Sequence, residues 1–340
     1  MKLQRMAWLA AGVALLAGCA ATTPHGTLAG PAATDARVPA PDDTRGAMAW
    51  MQTAAEYDAQ NLMVYAAARV ALDAALADPA RDALPADERA RSGKDPRTLP
   101  PAIILDIDET VLENTPFNVD LMHRPIDPGL PVEDFRRAFD QRWVAWVRRA
   151  EAPRMGGAKA FLDHAASRGV AIRYISNRAC APGDPSMCEE EPTCRNLVEQ
   201  GLPLADCEND VILRYEQAPY LEDAEKGSRR VEVGREFRVL LMLGDNLGDF
   251  LDGIAVDAAA RERLVCAAEA HWGVDWFMLA NPLYGSWPRA AENLPPGAGF
   301  ATQGERRAAQ RAGVDASLVE EAQSRARLRT PCLAASAPGN

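Results

Sequence analysis

Basic charge is in short supply. The chain carries 37 Lys and Arg against 48 Asp and Glu, a net charge of −11. Proteins that grip a nucleic-acid polymer present a basic face to its phosphates, so no such partner is expected. A small phosphate ester is still compatible with this balance if cations are focused inside one pocket. Long apolar runs are missing too: Met6–Leu16 is too short to cross a bilayer comfortably. Histidine is sparse, with four in 340 residues, and no Cys-x-x-Cys pair occurs, which argues against a zinc site. There is no internal repeat. An ordinary apolar fraction with 25 Pro and 24 Gly fits a globular body with long connections.

What is present begins with an export signal. Lys2 and Arg5 precede the apolar run, which closes on Leu16-Ala17-Gly18-Cys19. This resembles a bacterial lipoprotein signal over residues 1–18, with Cys19 lipidated as the first mature residue. Ala20, not Asp, follows the cysteine. That favours a lipid anchor in the outer membrane, facing the periplasm or the surface. Residues 19–45 are rich in Ala, Pro, Thr and Asp, lack an apolar period, and read as a flexible tether. Six further cysteines, Cys180, Cys188, Cys194, Cys207, Cys266 and Cys332, are an even number in an exported chain and favour disulfides. Two local bridges within the Cys-rich insert 179–210 and a Cys266–Cys332 bridge are expected.

One domain over 46–330 is expected, with a loose tail at 331–340. Trp50, Ala54, Tyr57, Leu62, Tyr65, Val70 and Leu72 recur at helical spacing and predict one long helix over 46–77. Ala102–Ile107 is a short apolar run that ends in carboxylates, as a buried parallel strand does. Similar runs at Val170–Ile175, Val239–Leu243 and Trp276–Leu279 alternate with helical patterns such as 156–168 and 248–266. The segment after Phe300 also reads as helical. Alternation of this kind predicts an α/β fold, a central sheet with helices on both faces. Ligands in such sheets bind at the carboxyl ends of strands. Three runs end there in polar residues: Asp106-Ile107-Asp108, Ser176-Asn177-Arg178 and Gly244-Asp245-Asn246.

Crowded carboxylates need a reason. Two unit charges 4 Å apart cost roughly 4 kcal/mol at an effective dielectric of 20. Asp245 and Asp249 beside Asp106 and Asp108 raise that cost. Such a cluster persists when a cation sits in it or one acid keeps its proton. Oxygen donors without His or thiolate favour Mg²⁺ or a similar ion. A calcium loop starting at Asp106 would need Gly and Glu where Val111 and Phe117 stand, so that reading fails. The Asp pair alone could equally cap a helix starting near Thr110, but that leaves the other strand ends unexplained.

The segment Asp106-Ile107-Asp108-Glu109-Thr110-Val111 resembles the first motif of the haloacid dehalogenase (HAD) superfamily. The resemblance implies that Asp106 attacks phosphorus, while Asp108 protonates the leaving oxygen and then activates water. Ser176-Asn177-Arg178, Lys226, and Gly244-Asp245-Asn246 with Asp249 are similar to the second, third and fourth motifs. These imply phosphate binding by Ser176, Asn177 and Lys226, and a metal site at Asp245. Trp50-Met51-Gln52, Glu56-Tyr57, Asp108–Asn114, Gly244–Phe250 and Asn281–Trp287 narrow the likeness to the class C (four-aspartate) bacterial acid phosphatases, which are lipoproteins. The likeness spans about 46–300, with the motifs over 102–281. It implies a Rossmann-like HAD core with a smaller, mostly helical cap region. One Mg²⁺ or similar ion per subunit is implied, held by the Asp106 and Asp245 side chains and the Asp108 carbonyl, with Asp249 behind. Substrates would be small phosphomonoesters such as 5′-nucleotides or nicotinamide mononucleotide, and a homodimer is compatible with it.

Each part suits phosphoryl transfer, where positioning and charge stabilisation dominate. The aromatic candidates for stacking on a base are Trp143, Trp146, Tyr284 and Trp287; of the first two, three apart on a helix, one is expected in the core and one in the pocket. Arg178 is left open between phosphate binding and an ion pair. Lys226-Gly227-Ser228-Arg229-Arg230 offers three cations, of which Lys226 fits the motif. The cysteine-rich insert departs from the family pattern and is expected at the pocket mouth. No His lies in an Arg-His-Gly setting, which argues against the histidine-nucleophile acid phosphatases. A phosphotransferase would use the same intermediate. A surface lipoprotein that binds a cofactor such as haem, or a partner, is the non-enzymatic alternative.

Overall fold

Ala102, Ile103, Ile104 and Leu105 carry no polar side-chain atom, and the strand they build (β1, Pro101–Leu105) is buried on both faces. In this computed structural model the described residues are 44–180, 185–215, 225–294, 298–325 and 332. Four more strands are Ala171–Ala179 (β2), Val211–Arg214 (β3), Arg238–Gly244 (β4) and Trp276–Met278 (β5). They form one five-stranded sheet in the order β3-β2-β1-β4-β5, and every pairing is parallel. Ile103 faces Ile172 of β2 on one side and Leu241 of β4 on the other. The chain steps outward from β1 through β2 to β3, then returns to β1's other flank for β4 and β5. The crevice of a wound sheet opens where that order reverses, here between β1 and β4.

Successive residues of β1 serve opposite core layers. Ile103 and Leu105 join one cluster, with Tyr65, Trp143 and Phe161, and Ile104 joins the other. Full burial of one such side chain contributes about 1.5–3 kcal/mol. Helices Thr44–Thr53 (α1), Ala55–Ala77 (α2) and Ala86–Ser92 (α3) precede β1. Thr115–His123 (α4), Val132–Arg149 (α5) and Ala158–Ser167 (α6) fill the first crossover. Glu190–Glu199 (α7) and Cys207–Asp210 (α8) lie in the insert between β2 and β3. Gly227–Glu236 (α9) leads to β4 and Ala258–Ala267 (α10) to β5; Trp287–Glu292 (α11) and Gln303–Arg325 (α12) follow. The structure pairs Cys180 with Cys188, Cys194 with Cys207 and Cys266 with Cys332.

Several elements differ from the sequence reading. The helix expected over 46–77 is two, separated at Ala54, whose backbone is extended (φ −85°, ψ 118°). The break lets Met48 and Met51 of α1 and the stripe Tyr57, Asn61, Tyr65, Ala68, Leu72 and Ala75 of α2 all reach the core. Leu62 and Val70, counted in the apolar period, face solvent. The helix expected over 248–266 starts only at Ala258. A 3-10 turn at Leu247–Asp249 comes first, and Asp257 caps α10 by accepting from the Ala260 amide at 2.7 Å. Strand β3 was not expected. Among the described residues no helix is long and apolar enough to cross a membrane. The signal sequence and Cys19 lie outside the described residues.

Candidate active site

Asp106 is the first residue past β1, and its amide still donates to the Leu243 carbonyl of β4 at 3.0 Å. The chain then doubles back instead of starting a helix at Thr110. The Val111 and Leu112 amides donate to the Ile107 carbonyl, both at 2.9 Å. Glu109 takes the left-handed conformation, φ +56°, which costs about 1–2 kcal/mol for a non-glycine residue. Its buried carboxylate offsets that by accepting from the Asn114 amide at 2.6 Å. From α2, the Tyr65 hydroxyl donates to the Thr110 carbonyl at 2.5 Å. The tyrosine that set the helical period thus braces the loop.

Four charges converge on this crevice. Carboxylate oxygens of Asp106, Asp245 and Asp249 lie within 4.8 Å of one another. Lys226 places Nζ 2.5 Å from Asp106 Oδ1 and 2.7 Å from Asp249 Oδ1. Asp245 accepts from Asn281 Nδ2 at 2.8 Å and from Thr110 Oγ1 at 3.3 Å. The Asn246 amide donates to Asp249 at 2.8 Å, folding that carboxylate back over Gly244. A Cβ at Gly244 would lie 2.2 Å from Asp249 Oδ2, so only glycine fits.

Burial pushes the Asp106 carboxyl up to about 7; Lys226 opposes the shift, and Asp249 and Asp108 add to it. Burial, then the charges of Asp249 and Asp106, raise Asp245 well above the ordinary carboxylate range. Burial works against the Lys226 charge, but Asp106 and Asp249 outweigh it and hold the ammonium above its usual value. One lysine does not neutralise three carboxylates. A hard, oxygen-only donor set with a surplus of negative charge fits a divalent cation such as Mg²⁺.

The three cations that open α9 go to three places. Lys226 meets the aspartates. Arg229 donates to the Ser176 carbonyl at 2.5 Å and to Asn177 Oδ1 at 2.6 Å, fixing the end of β2. Arg230 donates to the Gly248 and Asp249 carbonyls, both at 3.1 Å, and pairs with buried Glu88 of α3. Asp108 is held apart from the aspartate trio. It accepts from Arg178 Nη2 at 2.7 Å and from Asn114 Nδ2 at 2.8 Å. Of the two roles left open for Arg178, the structure gives it the ion pair.

The cleft above these groups is lined by Asp106, Asp108, Ser176, Asn177, Lys226, Asp245, Asn246, Asp249, Tyr284 and Gly285. Of the four aromatic candidates, only Tyr284 lines it. Trp143 and Trp146 are buried in the core, where the Trp143 ring meets Phe117 edge-on at 5.1 Å and Trp146 Nε1 donates to Asn114 Oδ1 at 2.8 Å. Both therefore stand behind the loop of Asp108, not in the cleft. Trp287 is 41% exposed, donates to the Asn281 carbonyl, and is not part of the lining. Thr110, Asn114 and Asn281 join the site without a role expected from the sequence. Asn281 lies two residues past the end of the last predicted strand, Trp276–Leu279, so the strand-end rule is the signal that could find it. Nothing local marks Asn114.

Carboxylates, a lysine and a hydroxyl gathered at the carboxyl ends of a parallel sheet are the equipment of phosphoryl transfer. Residues 33–287 match the family "HAD superfamily, subfamily IIIB (Acid phosphatase)". Two solved structures of the class C acid phosphatase from Bacillus anthracis, one a crystal structure with tungstate bound, are similar to this chain. Each is 29% identical, with a TM-score of 0.59, covering 78% of this chain and 94% of its own. The fold and site define a phosphoric monoester hydrolase with a HAD-type α/β core. The chain belongs to the subfamily IIIB acid phosphatases of the HAD superfamily.

Proposed function

We propose that the chain hydrolyses small phosphomonoesters through a phospho-aspartate on Asp106, with a divalent cation, Mg²⁺ by preference, in the acidic cluster. The observation that carries this is the convergence of Asp106, Asp245 and Asp249 with Lys226 from separate strand ends. Asp106 Oδ attacks phosphorus as the bond to the leaving oxygen breaks, and Asp108 protonates that oxygen. Asp108 then takes a proton from water, which attacks the aspartyl phosphate and releases inorganic phosphate. Ser176, Asn177 and Lys226 hold the phosphoryl oxygens. The Asp106 and Asp245 side chains and the Asp108 carbonyl would hold the cation, with Asp249 steadying Lys226 and the turn behind. When bound, the cation supplies charge neutralisation to the transferring group.

Lys226 lies against Asp106, where the phosphoryl group would sit, so its ammonium can pass from carboxylate to phosphate without moving far. Tyr284 is the cleft's one lining aromatic among the described residues, and supports a base-bearing ester, a 5′-nucleotide or nicotinamide mononucleotide, stacked on its ring. The amino-terminal pattern supports a signal at 1–18, lipidation of Cys19 and a tether over 19–45 that holds the domain at the outer membrane.

The test is Asp106→Asn assayed with a chromogenic phosphate ester and Mg²⁺. Turnover should fall by about 10³-fold or more, and chelation of wild type should abolish activity until a divalent ion is restored. Undiminished turnover in the variant, or indifference to chelation, would overturn the proposal.

A further inference from the structure

Asp108 stands at the end of a buried chain of contacts that leads into the cysteine-rich insert. Arg178, at the end of β2, grips it through Nη2 at 2.7 Å and Nε at 3.1 Å. The guanidinium's third nitrogen, Nη1, donates to Thr193 Oγ1 of α7 at 2.9 Å. That hydroxyl donates in turn to the Glu189 carbonyl at 2.5 Å. Glu189 is tied back to the strand next to Arg178: its amide donates to the Ala179 carbonyl at 3.0 Å, and its carboxylate accepts from the Ala179 amide at 2.5 Å. Arg178, Glu189 and Thr193 are all buried.

Ala179, Glu189 and Thr193 each adjoin a bridged cysteine. Ala179 precedes Cys180 and Glu189 follows Cys188, the two ends of one disulfide. Thr193 precedes Cys194, which is bridged to Cys207. The insert is thereby stapled at the points that hold Arg178.

Arg178 is not built to bind substrate phosphate. All three of its nitrogens already donate inside the protein, it does not line the cleft, and its guanidinium lies 5.8 Å from the Trp143 ring. A buried ion pair is weak as a source of stability, because desolvation offsets the attraction. A two-point grip does fix the direction of a carboxylate.

We propose that Arg178 is a positioning residue that aims Asp108 at the leaving oxygen, and that the disulfide-stapled insert holds Arg178 in place through Thr193 and Glu189. This rests on the reading of Asp108 as the acid–base group. Aim matters most when the leaving oxygen needs its proton most, so the signature is dependence on the leaving group.

The experiment measures kcat/KM for p-nitrophenyl phosphate and for an alkyl phosphate, together with inhibition by inorganic phosphate. In Arg178→Ala the alkyl ester should lose about 100-fold and the nitrophenyl ester about tenfold or less. Added guanidinium should recover part of the alkyl activity, and inhibition by phosphate should change by less than about twofold. Thr193→Val, which leaves the Arg178–Asp108 pair intact, should show the same ordering with a smaller loss, and it decides the matter if Arg178→Ala does not fold. Equal losses for both esters, weakened phosphate inhibition in Arg178→Ala, or an unaltered Thr193→Val would overturn the proposal. Asp108→Asn is the control for the underlying reading. If it hydrolyses the alkyl ester at the wild-type rate, the acid–base assignment fails and this proposal falls with it, whereas a large loss there beside unaltered Arg178→Ala and Thr193→Val overturns the positioning role alone.

Discussion

Asp106 gains a proton affinity near pH 7 because burial and two neighbouring carboxylates outweigh Lys226. In the unfolded chain an aspartate titrates near about 3.9. Between those values the metal-free folded protein binds more protons than the unfolded chain, so its stability falls as pH rises. Chelated protein should therefore be more stable near pH 4.5 than near pH 7.5 as far as this cluster is concerned, and a divalent cation should recover most of the loss at the higher pH. Thermal unfolding at both pH values, with and without Mg²⁺, checks this; a Mg²⁺ effect that is absent at the higher pH would count against the cluster as a cation site. At this scale the sequence was informative where chemistry and position coincide. An apolar run that stops at a carboxylate marks a strand end, which is how Asp106 and Asp245 were legible. The three cations within 226–230 carry no such mark: likeness to a motif singles out Lys226, and the first turn of α9 sends it to the aspartates, Arg229 to the Ser176 carbonyl and Arg230 to Glu88. Trp143 and Trp146 were illegible for a related reason. Helical spacing names a face, and that face packs against Phe117 and Asn114, not the cleft.

The first turn of α9 is the element that brings the strand ends together. Lys226 reaches the carboxylate after β1, Arg229 the polar stretch of β2 and Arg230 the turn after β4, and Arg230 is anchored from behind by Glu88 of α3. Glu88→Ala would leave the Arg230 guanidinium buried without that partner, an imbalance that costs about 3–5 kcal/mol. Chemical denaturation should show this loss, and activity should drop as the Asp249 turn loosens. A change below about 1 kcal/mol would mean that Asp252, which Arg230 Nη2 also reaches at 2.9 Å, holds the guanidinium by itself. Periodicity located β1, β2, β4 and β5 but overran the helices. It cannot see Ala54, where the chain unwinds to bury two stripes, nor the 3-10 turn and Asp257 cap that delay α10 to Ala258. Strand β3 is four residues long and lies directly after the cysteine-rich insert, too short for alternation to register.

For the molecule as a whole, the all-parallel pairing puts every strand-end motif on one rim, and the reversal of strand order between β1 and β4 opens the crevice there. The insert stapled by Cys180–Cys188 and Cys194–Cys207 is where the chain adds a support of its own. If Cys19 carries the anchor, Cys19→Ala should move the protein from the membrane fraction to the soluble fraction with its kcat unchanged; persistent membrane association would point to another anchor. The most direct measurement of the central claim is acid quench of the enzyme during turnover, followed by peptide mass mapping. The account predicts a transient acyl phosphate on the peptide that contains Asp106, absent from Asp106→Asn. Phosphate trapped on a different residue, or sustained turnover with no phosphorylated peptide at all, would contradict it.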